Sequence, residues 1–83
     1  MNAVFTEHAK HAIKEREIET EWVLATIKNP ELRERDPNDD ELERFYRSIP
    51  DRGNRVLRVV INTELAPWRI VSVFFDRRMR DKL

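Results

Sequence analysis

The sequence predicts an α+β domain in which two N-terminal helices pack on an antiparallel β-meander of three to four strands. Three observations carry that expectation. Apolar residues recur at helical spacing over the first third of the chain, and from Leu42 to Phe75 the period drops to two. Turn residues, Pro50-Asp51-Arg52-Gly53-Asn54 and Glu64 to Pro67, then cut that second part into strand-length pieces.

The first helix runs from Glu7 to Arg16. Thr6 stands where a hydroxyl caps the open backbone amides, and Phe5 precedes it as a candidate hydrophobic staple. Ala9, Ala12, Ile13 and Arg16 make a narrow stripe with His8 on its border. Glu17-Ile18-Glu19 interrupts the pattern. Trp22, Val23, Ala25, Thr26 and Ile27 supply a second helix, which ends at Asn29 because the ring of Pro30 disfavours helical geometry in the residue before it.

Pro30 to Leu42 is mostly charged, with Asp36-Pro37-Asn38-Asp39-Asp40 as an acidic turn expected to be the most mobile segment and Leu32 to Arg35 as the candidate fourth strand. From Leu42, Phe45, Arg47 and Ile49 alternate with Arg44, Tyr46 and Ser48. Arg55 to Asn62 is the strongest strand. It sets Leu57, Val59 and Ile61 against Val56, Arg58 and Val60, so both faces are partly apolar, as in a central strand. The last strand, Arg69 to Phe75, sets Val71, Val73 and Phe75 against Ile70, Ser72 and Phe74.

With 83 residues the chain reads as one domain, and a domain of this size buries only about 60% of the surface its unfolded form exposes. It has no Cys, which removes disulfides, thiol nucleophiles and cysteine-based zinc sites, and points to the cytoplasm. Its single Gly removes the glycine-rich phosphate loops of nucleotide-cofactor folds. No apolar run approaches the roughly 20 residues of a membrane span, and no signal peptide is visible. No cofactor or metal is expected.

Lys plus Arg and Asp plus Glu number 16 each, so the formal charge is zero, but the signs are divided along the chain. Met1 to Glu43 holds 12 acids and 6 bases, whereas Arg44 to Leu83 holds 10 bases, nine of them Arg, and 4 acids. The second half is a basic, Arg-rich segment. Read blandly, the halves neutralise each other and the arginines line a solvated sheet.

His8 and His11 are the only side chains whose ordinary pKa lies near neutrality, and so the only default groups for proton transfer. Glu7, His11 and Glu15 share a helical face but have no complementary ligand elsewhere, so solvated i to i+4 pairs account for them. Arg58, in the middle of the strongest strand, needs a carboxylate partner or an anionic ligand. Arg44, Tyr46 and Ser48 share one parity, and Ser72 lies at mid-strand. If the register aligns them, a polar, basic patch crosses one sheet face, suited to phosphates through Arg forks and to bases on Tyr46 or Trp68. Asp76-Arg77-Arg78-Met79-Arg80 adds positive charge after the last strand, or is a solvated tail.

Phe5-Thr6-Glu7-His8-Ala9, Glu15-Arg16-Glu17-Ile18, Asn29-Pro30, Arg55 to Val60 and Ile70 to Arg78 together resemble the family catalogued as domain of unknown function 4258. That family is similar in fold to the RelE and barnase-like ribonuclease toxins. The resemblance implies a metal-independent surface that binds or cleaves RNA, and it carries over His8, Arg16, Arg58 and Ser72. His8 would transfer the proton, Arg58 and Arg16 would contact phosphate, Ser72 or Tyr46 would position the substrate, and Arg44 would add a further contact. Two departures stand out: Glu17 occupies a position commonly Gly in the family, and Ser72 one commonly Thr. Glu17 thus falls where a left-handed helix end is wanted.

Two readings of function are open. One is a toxin-like endoribonuclease or RNA-binding protein, with RNA as substrate and an antitoxin masking its basic face. The other is a non-catalytic interaction module or small oligomer-forming domain of the same fold, a homodimer among the options, that uses Trp22, Trp68 and the Phe residues as contacts.

Overall fold

In the computed structural model, which describes residues 3–83, the first element is a strand, β1 (Ala3–Phe5), where the sequence suggests only a helix entry. It is followed by α1 (Glu7–Glu15), α2 (Thr20–Lys28), β2 (Leu32–Arg35), β3 (Leu42–Ile49), β4 (Arg55–Asn62) and β5 (Trp68–Phe75). Short 3-10 turns occupy Pro50–Arg52 and Arg77–Met79. The strand order is β1-β5-β4-β3-β2, with β1 parallel to β5 and every other pair antiparallel. The sheet is therefore five-stranded and mixed, not an antiparallel meander of three or four. Three residues are too few to show an alternating pattern, and the partner of β1 lies at the far end of the chain.

Local chemistry sets the helix ends. The Thr6 hydroxyl accepts a hydrogen bond from the Ala9 amide at 3.1 Å and donates one to the Val71 carbonyl at 3.3 Å, so one side chain both caps α1 and ties it to β5. α1 closes with the Ile18 amide donating to the Ile13 carbonyl at 2.9 Å and the Glu17 amide to Lys14 at 3.3 Å. That pair of bonds demands a left-handed residue, and Glu17 takes it, at φ 53°. α2 ends with Asn29 as its cap, ahead of Pro30. The chain's one glycine, Gly53, also has a left-handed φ, 64°, and turns β3 into β4 together with Asn54 at φ 62°.

The helices cover one face of the sheet. Ala9, Ile18, Val23 and Ile27 pack there on Phe45, Ile49, Leu57, Val59, Ile61, Ile70 and Val73. Ile70 and Val73 share this core although their separation is odd. A β-bulge opposite Val60 and Ile61 inserts one residue into β5, so the strict alternation expected across Val71 and Ser72 fails. The acidic turn is tied rather than loose. Asp36 accepts from the Asn38 amide at 2.8 Å and pairs with Arg44 at 3.1 Å, while Asp39 accepts from the Glu41 amide at 2.9 Å.

Candidate functional site

On the face away from the helices, the register aligns Tyr46 with Arg58 and Arg58 with Phe74, and sets Arg44 and Ser72 on either side of Val60. The register brings the polar residues onto one face, and Arg58, Tyr46 and Arg44 each have a partner within the protein. The Arg58 guanidinium, only 8% exposed, reaches the Asp76 carboxylate at 3.2 Å and lies over the rings of Phe74 and Tyr46 at 4.7 and 5.7 Å. Its Nε is buried with no hydrogen-bond partner. The Tyr46 hydroxyl donates to Glu34 at 3.2 Å, and Arg44 is paired with Asp36. A hydrogen bond from the Asn38 amide, assisted by Arg44, holds the Asp36 carboxyl below its ordinary range. Ser72 is half-buried beside the bulge.

Five arginines without a carboxylate partner gather at one end of the sheet. The C-terminus of α1, the turn Pro50–Arg52, the start of β4 and the end of β5 meet there. Arg16, Arg52, Arg55 and Arg77 line a single recess of about 320 Å³ together with Phe74 and Phe75. Arg55 and Arg77 also line an adjoining recess of about 450 Å³ with Arg80 and Asp76. Among the described residues, none of Arg16, Arg52, Arg55, Arg77 and Arg80 has a carboxylate within ion-pair distance. Aromatic faces hold two of them in place. The guanidinium carbon of Arg55 stands 4.4 Å from the centre of the Phe75 ring, and that of Arg52 stands 5.4 Å from the same ring and 5.7 Å from Trp22. Unneutralised guanidinium groups on a concave surface raise the local positive potential and can accept an anion.

The residues named from sequence are thus separated. Arg58, Tyr46, Arg44 and Ser72 share the open face, and Arg16 belongs to the arginine recess. His8 belongs to neither. It is exposed on the first turn of α1, about 12 Å of helix axis from Arg16 at about 1.5 Å per residue. Its helix packs on the face opposite Arg58. His11 pairs with Glu15 at 3.5 Å in solvent, and no group of three potential metal ligands occurs among the described residues. Both tryptophans are half-buried: Trp22 packs on Phe75, and Trp68 packs edge-on against Phe45 with Arg33 over both of the latter rings. Arg52 and Arg55 were not singled out by sequence, although a signal was present. In an antiparallel β4–β5 pair the first residues of β4 adjoin the last of β5, so the register alone brings Arg55 beside Arg77.

No described helix is long and apolar enough to cross a membrane. The family described as Domain of unknown function (DUF4258) matches residues 5–75. No curated protein and no solved structure matches the chain.

Proposed function

Because the chain belongs to the family of domain of unknown function 4258, whose description assigns no activity, we propose a function from the site itself: the protein binds RNA through the arginine recess at the end of its sheet. The observation that carries this reading is the set of five arginines without carboxylate partners around Phe74 and Phe75. Such a set gains little within the fold, since like charges repel at close range, and gains most from a phosphate ligand. Binding is supported over cleavage. Metal-independent cleavage of RNA needs a group that takes the 2′-hydroxyl proton. Among the described residues the carboxylate lining these recesses, Asp76, is committed to Arg58, and His8 stands at the far end of α1, about 12 Å of helix axis from Arg16.

Titration of a fluorescent single-stranded RNA at several salt concentrations tests the proposal. With four phosphate contacts, log K falls with log salt at a slope of about −3, and Arg55→Gln weakens binding and reduces the magnitude of that slope by about 0.7. An affinity that ignores both salt and Arg55→Gln removes the reading. RNA incubated with the protein in EDTA stays full-length on a gel. Cleavage that disappears in His8→Ala would replace the binding reading with a metal-independent endoribonuclease.

A further inference from the structure

The arginine recess has features that narrow its ligand. Its rings are already occupied. Phe75 carries Arg55 and Arg52, and Phe74 carries Arg58, so these aromatic faces brace guanidinium groups rather than offering platforms for bases. Proteins that hold the interior of a single strand do the opposite, with a long basic track and open rings on which successive bases stack. Here four arginines line one concavity of about 320 Å³, a volume at the lower end of small-ligand sites. An interior phosphodiester carries one negative charge and its neighbours lie along the strand. A terminal phosphomonoester carries about −1.5 to −2 on three outward oxygens, enough acceptors for several Arg forks at a single point.

We propose that the recess captures the phosphorylated end of an RNA strand, with Arg55 and Arg77 as the principal contacts because they line both adjoining concavities. The proposal rests on the RNA-binding reading and specifies which part of the RNA is held. Arg16 and Arg52 close the recess on the helix side, and Arg80 stands on the side where the next phosphate of the strand leaves.

The test compares four oligoribonucleotides of one sequence by fluorescence anisotropy at constant salt: 5′-phosphate, 3′-phosphate, hydroxyl at both ends, and a circle with no end. One of the phosphorylated strands is expected to bind at least tenfold more tightly than the hydroxyl and circular forms, and which one it is identifies the end recognised. In Arg55→Gln/Arg77→Gln, with its fold checked by circular dichroism, the preference collapses while weak, salt-sensitive binding persists. Equal affinity for all four strands overturns end capture and leaves the general RNA reading standing. No measurable affinity for any of them overturns that reading as well. A preference that survives the double substitution also overturns the proposal, because the end is then read elsewhere.

Discussion

Glu17 occupies a left-handed backbone position at φ 53° with a side chain that gains nothing from it. The penalty for a β-carbon there is about 1 kcal/mol, so Glu17→Gly is expected to raise stability by about that amount, a rise of about 4–8 °C in melting temperature for a domain of this size. The need for a left-handed residue is legible from the family resemblance alone. Arg58 shows the limit of such reading. An arginine amid Val56 and Val60 announces that it needs a counter-charge, but the sequence does not say that Asp76 supplies it, because the register of β4 on β5 makes that pairing. Asp76→Ala leaves a buried guanidinium unpaired, and a loss of about 3–5 kcal/mol is expected in urea denaturation. Arg58→Met combined with Asp76→Ala removes the orphaned charge and recovers most of that loss.

At the scale of the element, α1 is held by one residue in two directions. Thr6 caps the helix and also donates to β5, so Thr6→Ala should cost at least the roughly 1 kcal/mol of an ordinary cap. Thermal denaturation checks this, and Thr6→Ser, which keeps the hydroxyl, should stay close to the parent. α2, β3 and β4 were legible because each is long enough to display its period and is bounded by turn residues. β1 was not, since three residues carry no period. β5 was legible as a strand but not in its facing, because a bulge leaves no mark on composition. The arginine recess falls between these cases: each arginine is visible in the sequence, but only the juxtaposition of a helix end, a turn and two strand ends makes them a site.

For the molecule as a whole, zero net charge conceals a polar arrangement. The acidic turn after β2 and the arginine recess sit at opposite ends of the sheet, separated by the length of β4, about 24 Å at about 3.4 Å per residue. A polyanion is drawn to one end and repelled from the other, which orients its approach. The acidic end also sets the behaviour in acid. Arg33 holds the Glu43 carboxyl below its ordinary range, and the Asn38 amide does the same for Asp36. Carboxyls depressed by folding stabilise above their unfolded pKa and lose that contribution as the pH falls through the folded one. The melting temperature is therefore expected to be level between about pH 5 and 8 and to drop below about pH 4, with a shallower drop in Asp36→Asn/Glu43→Gln. The sheet has a mechanical consequence as well. β1 and β5 run parallel and side by side, so a pull on the chain ahead of β1 and beyond β5 drags them past each other in opposite directions along their length. Their hydrogen bonds then bear the load together, in shear, instead of parting one after another, and the short seam between the first strand and the last becomes the clamp that sets the force at which the domain gives way.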